Sequence, residues 1–127
     1  MRLIVVRHAK AAPGDPDASR PLTGKGRKAA AELARELRDA HPDAVISSPL
    51  LRAVETATPI AKKSGLEVEI DARLAPGATA DDIRAVIAGK GDTVVTVGHQ
   101  PDCSDIVFEL TGREVPFSTG SFYEVEL

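Results

Sequence analysis

The sequence predicts a three-layer α/β/α fold built on a mostly parallel sheet. Two short apolar runs, Leu3–Val6 and Thr93–Val97, are typical of strands buried on both faces of such a sheet. Segments with helical periodicity alternate with the strands at the spacing of βαβ units. The chain has 127 residues and shows no internal repeat or linker, so residues 1–127 are predicted to form a single domain.

The first helix is predicted from a capping residue and an Ala/Leu-rich segment. After the strand at Leu3–Val6 comes a loop rich in Pro, Gly and Asp. Thr23 is expected to cap a helix that continues to about Ala40 and ends before Pro42. One face of this helix is apolar and should pack on the sheet; it carries Ala30, Leu33, Ala34 and Leu37.

A second strand and a second helix follow directly. Ala44–Ser47 is predicted to be the strand, and Ser48-Pro49 is expected to open the helix. The first backbone N–H groups of that helix would add hydrogen-bond donors at its N-terminus. The helix should continue to about Lys63 before Gly65, and Pro59 is expected to kink or interrupt it.

The second half of the chain repeats the alternation around the strand at Thr93–Val97. Leu66–Ile70 alternates in polarity and is predicted to be a strand near an edge. Short helices are expected at Ala80–Ala88 and Asp102–Leu110, and the final segment 121–127 is predicted to be an antiparallel strand.

The composition is that of an ordinary globular protein and argues against several functions. The chain is 43% hydrophobic and 28% charged, and its formal net charge is −3. That charge and an aromatic content of 3% argue against nucleic-acid binding. No apolar run suits a membrane span and the N-terminus is charged too soon for a secretory signal, so a cytoplasmic protein is expected. The lone Cys103 is expected to be a packed residue.

Charged residues that follow the predicted strands give the first indication of function. Arg7 and His8 follow the first strand, His99 follows Thr93–Val97, and Arg52 lies early in the second helix. Because parallel strands end at the same edge of a sheet, these four side chains are predicted to converge. The sequence shows no obvious acidic partner for them, and such a cluster is costly unless an anion binds there. Arginine side chains favour a phosphate.

His8 is the predicted nucleophile of this cluster. Neighbouring guanidinium groups disfavour protonation of its imidazole, so the ring should stay neutral near neutral pH. Attack on phosphorus would form a phosphohistidine that water hydrolyses, with the arginines and His99 stabilising the phosphoryl oxygens. No Asp-rich constellation for Mg²⁺ is visible, so neither a metal nor another cofactor is expected. His41, beside Pro42, is interpreted as a histidine at a helix end.

These residues, in this order, resemble the histidine phosphatase superfamily, whose fold is phosphoglycerate-mutase-like. Within it the resemblance is closest to the small phosphohistidine phosphatases of the SixA type. Each short segment alone is weak evidence for the family, but the whole set in this order is specific. The matching segments are Arg7-His8-Ala9, Arg20-Pro21-Leu22-Thr23 with Gly26, Ser48-Pro49 followed by Arg52-Ala53 and Thr56-Ala57, and Gly98-His99 with Pro101-Asp102.

The resemblance implies roles for the matching positions. His8 corresponds to the nucleophile, and Arg7, Arg52 and His99 correspond to residues that bind the phosphate. Arg20 is similar to an arginine near the pocket of SixA-type proteins, where it would bind substrate or only anchor its loop.

Five other polar or small residues have more ordinary interpretations or stay open. Thr23 is interpreted as a helix cap, Gly26 as a site of close packing, and Ser48 as a cap of the second helix. Glu55 and Asp102 could orient residues of the pocket, which the sequence leaves open.

Departures from the family bear on the substrate. Ala9 stands in place of the usual glycine, a small change, and Ala11 stands where the mutase branch has threonine. The glutamate that serves as general acid in larger members has no clear counterpart. Asp81 and Asp82 are the nearest candidates, although an acidic start to a helix is the more ordinary explanation.

The missing acid favours a phosphorus–nitrogen bond as the target. An alkoxide leaving group needs a proton, whereas an imidazole, with a pKa of about 6.5, can leave protonated by water. The short loops also predict an open pocket. We therefore expect a phosphatase that removes phosphate from phosphohistidine of a protein, such as a histidine-containing phosphotransfer domain, and that is a monomer or a weak dimer.

Three alternatives to this function remain open at this point. One is a small-molecule phosphomonoesterase or mutase of the same fold. Another is a non-catalytic module that recognises phosphorylated partners through the same cationic residues. The third is an α/β domain whose basic cluster binds an anion for structural reasons.

Overall fold

The computed structural model describes residues 1–127 as a five-stranded sheet with helices on both faces, which confirms the predicted α/β class. The sheet is mixed, because four strands are parallel and the last is antiparallel. The strands are β1 (Arg2–Arg7), β2 (Ala44–Ser47), β3 (Val68–Ile70), β4 (Thr93–Gly98) and β5 (Phe122–Glu126). The helices are α1 (Gly24–Arg38), α2 (Leu51–Lys63), α3 (Ala80–Ile87) and α4 (Asp102–Thr111).

The order of the strands brings the predicted site residues to adjacent strand ends. The sheet has the order β3-β2-β4-β1-β5, so β1 and β4 are neighbours and β2 pairs with the other side of β4. The antiparallel pairing of β5 with β1 confirms the prediction for the C-terminal segment. The edge position of β3 is also confirmed, but the strand begins only at Val68. Leu66 still donates its N–H to the carbonyl of Ala61, so it belongs to the exit of α2.

Both faces of the sheet are buried, as the unbroken apolar strands predict. On β1, Leu3 and Val5 pack into the core layer shared with α3 and α4. Ile4 and Val6 pack on the opposite side with residues of α1 and α2. None of these four side chains is more than 2% exposed. The two core layers give the three-layer architecture.

The start of α1 is fixed in the predicted way. The hydroxyl of Thr23 accepts a hydrogen bond from the backbone N–H of Gly26 at 3.0 Å. A side chain at Gly26 would collide with the carbonyl oxygen of Lys10, so the close-packing interpretation of this glycine is confirmed.

The expected start of α2 is wrong. The helix begins at Leu51 rather than at Ser48-Pro49, because the N–H of Ser48 still bonds to the carbonyl of Val97 in β4. The N–H of Ser48 therefore does not belong to its first turn, and Pro49 has no N–H to offer. Pro59 does not interrupt the helix, which continues to Lys63. None of the four helices combines the length and apolar character needed to cross a membrane.

Candidate active site

The backbone of His8 and Ala9 is held by three parts of the fold at once. The N–H of His8 donates to the carbonyl of Gly98 in β4, and the carbonyl of His8 accepts from Gly120, both at 3.0 Å. The N–H of Ala9 donates to the hydroxyl of Thr56 on α2, also at 3.0 Å. The position of the His8 ring is therefore set by the sheet, by α2 and by the turn before β5.

One hydrogen bond assigns the tautomer of His8. Its Nδ1 lies 2.7 Å from the carbonyl oxygen of Ala9. Because a carbonyl oxygen can only accept, Nδ1 carries the proton and Nε2 keeps its lone pair in the neutral ring. His8 is 9% exposed, and no protein group hydrogen-bonds to its Nε2. The ring thus has a nitrogen available for attack.

The pKa of His8 lies below its usual value of 6.5, and burial is the main cause. The hydrogen bond to Ala9 acts in the opposite direction. Repulsion by Arg52, Arg7 and Arg20 lowers the pKa further. The expectation of a neutral ring agrees with this direction. The arginines are a smaller cause of the lowered pKa than the sequence predicts, because desolvation of the charged ring is the larger effect.

His99 is the more deeply buried histidine of the pair. It is 4% exposed, and its ring centre lies 5.3 Å from that of His8. Burial lowers the pKa of His99 to about 4, and repulsion by His8 and Arg52 acts in the same direction. Near neutral pH the ring is therefore neutral.

Ser48 connects His99 to the start of α2. Its hydroxyl oxygen lies 2.7 Å from Nε2 of His99 and accepts from the N–H of Leu50 at 3.2 Å. The hydroxyl proton finds a partner if it is donated to Nε2, which makes Nδ1 the protonated nitrogen of His99. That Nδ1 is buried and has no partner in the protein. Ser48 thus caps the turn before α2 rather than the helix itself.

Arg7 leaves a second buried donor unpaired. Its Nη1 donates to the carbonyl of Phe117 at 2.8 Å, which fixes the guanidinium against the segment before β5. Its Nε is buried and has no hydrogen-bond partner. Unpaired buried donors are costly, so a bound anion that accepts from them would be stabilised.

Arg52 has an acidic partner, which corrects the expectation that the cluster has none. The side chain of Arg52 is 8% exposed and lies 3.2 Å from the carboxylate of Asp17. The carbonyl oxygen of Asp17 also accepts from Nη1 of Arg52, at 3.0 Å. Asp17 belongs to the loop between β1 and α1, where no periodic pattern indicates its position.

Arg20 anchors the same loop. Its Nε donates to the carbonyl of Ala12 at 2.9 Å, and its Nη1 donates to the carboxylate of Asp17 at 3.1 Å. The side chain is about one-third exposed, and its charge contributes to the repulsion that lowers the pKa of His8. The structure thus shows the anchoring contact, and Arg20 is also near enough to act on the pocket through its charge.

The candidate acids at the start of α3 have structural partners. The carboxylate of Asp82 accepts from the N–H and the hydroxyl of Thr79, both at 3.0 Å, and completes a capping box. Asp81 is exposed and pairs with Arg84. Neither forms a hydrogen bond or ion pair with His8 or the arginines of the pocket, and the capping box agrees with the ordinary explanation of an acidic helix start.

The remaining open residues also have structural roles. Glu55 accepts from the N–H of Leu22, and Asp102 accepts from the N–H of Gly77, so neither orients the pocket directly. Burial raises the pKa of the Cys103 thiol to about 12, which agrees with a packed residue. His41 lies beyond the end of α1, with a φ of 51°. No three His, Cys, Asp or Glu side chains are grouped as metal ligands would be.

The contribution of Thr56 is greater than its place in a sequence motif indicates. This residue is fully buried on α2, one turn after Arg52. Its hydroxyl accepts from Ala9 and donates to the carbonyl of Arg52 at 2.8 Å, so it ties the nucleophile segment to the helix that carries the arginine. The sequence places Thr56 in a segment that matches the family, but it does not indicate the hydrogen bond to Ala9.

The sequence model of the histidine phosphatase superfamily (branch 1) matches residues 3–76, which are more than half of the chain. The chain belongs to this superfamily. The match includes Arg7, His8, Arg20 and Arg52, and it ends before His99. The fold and the family are those of phosphatases, as the ordered motifs predict.

Similar structures and one relative agree with this assignment. The protein histidine phosphatase SixA, solved with tungstate, is 26% identical with a TM-score of 0.88, over 100% of this chain and 88% of that one. A mycobacterial glucosyl-3-phosphoglycerate phosphatase is 22% identical with a TM-score of 0.76, over 98% and 89% of the two chains, and shows the fold alone.

The relative is an uncharacterised protein of Mycobacterium tuberculosis. It is 44% identical over 70 residues, which are 55% of this chain. The similar region covers 35% of that relative's length, so most of the relative lies outside it.

Proposed function

We propose that this protein is a metal-independent phosphohistidine phosphatase that acts through a covalent phosphohistidine on Nε2 of His8. The observation that carries the proposal is the hydrogen bond from Nδ1 of His8 to the carbonyl of Ala9. It leaves the lone pair on Nε2, in a pocket where burial and three arginines keep the ring neutral. The similarity to SixA supports this reaction class.

The reaction proceeds in two steps. In the first, the Nε2 lone pair of His8 attacks phosphorus, and the phosphorus–nitrogen bond to the substrate imidazole breaks. The bonding electrons stay on the substrate nitrogen, which takes a proton from water. In the second, water attacks the phosphoryl group, its proton is released, and Nε2 of His8 leaves with its lone pair restored.

The cationic residues stabilise the transferring phosphoryl group. Arg7 and Arg52 are the phosphate-binding arginines, and their charge replaces the one that a metal supplies in other phosphoryl transfers. The unpaired donors at Nε of Arg7 and Nδ1 of His99 are satisfied when phosphoryl oxygens accept from them. Arg20 adds positive charge at the loop side of the pocket.

The carboxylates near the pocket favour a nitrogen leaving group. Asp17 is the one carboxylate in ion-pair contact with the pocket arginines, and its hydrogen bonds to Arg20 and Arg52 lower its pKa below 3.8. It is therefore ionised near neutral pH and cannot donate a proton to an alkoxide. An imidazole leaving group does not need that donor.

The substrate is a protein that carries phosphohistidine, such as a histidine-containing phosphotransfer domain. A macromolecular substrate accords with the short loops around the strand ends. We further propose that residues 1–127 act as one domain, as a monomer or weak dimer, in the cytoplasm.

A comparison of substrates tests this proposal. A phosphotransfer domain labelled on histidine with ³²P and a panel of sugar phosphates and phosphoserine would be offered to the protein and to a His8→Asn control. We expect release of phosphate from the labelled histidine by the wild type alone, at least about a hundredfold faster than from any ester. Rapid hydrolysis of sugar phosphates without hydrolysis of phosphohistidine would instead identify a small-molecule phosphomonoesterase.

A further inference from the structure

Asp17 contacts both arginines on one side of the pocket. Its carbonyl oxygen and its Oδ2 accept from Nη1 and Nη2 of Arg52, at 3.0 Å and 3.2 Å. Its Oδ1 accepts from Nη1 of Arg20 at 3.1 Å. A single residue thus uses its main chain and both carboxylate oxygens to bind the two guanidinium groups.

These contacts restrain Arg52 without exhausting its donors. A guanidinium has five N–H groups, and Asp17 takes two of them. The other three stay available for an anion. An arginine side chain has several rotatable bonds, so two fixed contacts at its end hold the planar group in one orientation. The loop that carries Asp17 is itself closed by a hydrogen bond from the N–H of Ala12 to the carbonyl of Pro21.

We propose that Asp17 is a positioning residue for Arg52: it fixes the guanidinium that stabilises the transferring phosphoryl group, and its charge weakens phosphate binding at the same time. The inference rests on the proposed function, because its kcat readout is the hydrolysis of phosphohistidine. The two effects have opposite signs, because orientation favours the transition state while a neighbouring anion repels a bound phosphate. A purely structural residue would not separate them.

A matched pair of variants isolates the charge of Asp17. Asp17→Asn keeps the shape of the side chain and the main-chain carbonyl that binds Arg52, but removes the negative charge. Asp15→Asn makes the same change of charge in the same loop, at an exposed residue with no side-chain hydrogen bond or ion pair. Asp17→Glu retains the charge and serves as the conservative variant.

The readouts are kcat on phosphohistidine of a labelled phosphotransfer domain and the Kd of inorganic phosphate from calorimetry. For Asp17→Asn we expect kcat to fall about tenfold, since Arg52 is less well oriented. We expect phosphate to bind about threefold more tightly, since a neighbouring anion is gone. Asp17→Glu should return the phosphate Kd to the wild-type value, and Asp15→Asn should change neither quantity by more than about twofold.

Two results would overturn the inference. One is an Asp17→Asn protein that matches Asp15→Asn in both kcat and phosphate Kd. The other is a parallel loss, in which kcat falls and phosphate binds more weakly, as it would if Asp17 only supported the loop. The calorimetric comparison needs no turnover. If the wild type fails to hydrolyse phosphohistidine, the proposed function fails, while the effect of Asp17 on phosphate binding is still decided.

Discussion

The basic pocket around His8 and the acidic start of α3 both hold charged side chains, but they use their hydrogen bonds differently. At α3, Asp82 closes a capping box with Thr79, and Asp81 pairs with Arg84. A surface concavity of about 550 Å³ lies beside them, between α3 and α4, and is also lined by carboxylates of α4. The two carboxylates that begin α3 thus have partners within the protein itself.

The basic pocket leaves donors free and buried. Nε of Arg7 and Nδ1 of His99 have no partner, and Nε2 of His8 retains its lone pair. Unpaired buried donors are rare because they are costly. In this comparison, unpaired buried ring and guanidinium nitrogens distinguish the candidate site, whereas the number of charges and the size of a concavity do not.

Substitution of Arg52 tests whether the free donors of the pocket matter for phosphoryl transfer. Arg52→Lys keeps a charge but loses the planar fork, so kcat/KM for phosphohistidine should fall about a hundredfold. The matched control is Arg38→Lys. Arg38 is an exposed residue at the end of α1, and its ion pair is with Asp39. A loss of less than about threefold in Arg52→Lys would remove the distinction between pocket charge and surface charge.

Burial of His99 should make the free energy of unfolding depend on pH. The unfolded chain protonates His99 near pH 6.5, while the folded protein protonates it only near pH 4. Unfolding therefore takes up a proton between these values, and the free energy of unfolding should fall by about 3 kcal/mol as the pH drops from 6.5 to 4. His8 contributes in the same direction. Denaturant titrations across this range measure the slope.

A variant of His99 tests whether the pH dependence of the unfolding free energy arises in the pocket. His99→Asn should lose a large part of the pH dependence, whereas His41→Asn, at an exposed position after α1, should retain it. Equal slopes in the two variants would show that the pH dependence arises outside the pocket.

The acidic helix start should affect stability and leave activity unchanged. Asp82→Ala removes the reciprocal hydrogen bond of the capping box and should cost about 1 kcal/mol of unfolding free energy. Turnover of phosphohistidine should stay within about twofold of the wild type for both Asp82→Ala and the exposed Asp81→Ala. If either variant abolished turnover at unchanged stability, an aspartate of α3 would be the general acid after all.

The sequence predicts the location of the pocket because strand ends are set by long-range burial. The apolar runs before His8 and His99 identify strands buried on both faces, and their carboxyl ends must lie side by side. The same reasoning places Arg52 after β2. The acidic start of α3 is also visible in the sequence, whereas the capping box of Asp82 with Thr79 is a finding of the structure.

Other features depend on contacts that no local pattern encodes. Asp17 reaches Arg52 from a loop that is closed by the hydrogen bond from Ala12 to Pro21, and the sequence of such a loop has no periodic pattern that predicts this contact. The late start of α2 reflects the bond from Ser48 to Val97, which extends the sheet by one residue. The extent to which His8 is buried, which is the main cause of its lowered pKa, likewise depends on how the helices pack on the strands.

The most direct test of the account is to trap the phosphoryl group on the enzyme. The protein would be mixed with ³²P-labelled phosphoramidate, quenched rapidly in alkali, and its labelled peptide identified by mass spectrometry, with His8→Asn as the control. We expect a single acid-labile label on the peptide that contains His8, and none in the control. Turnover without a label on His8, or a label on His99 instead, would contradict it.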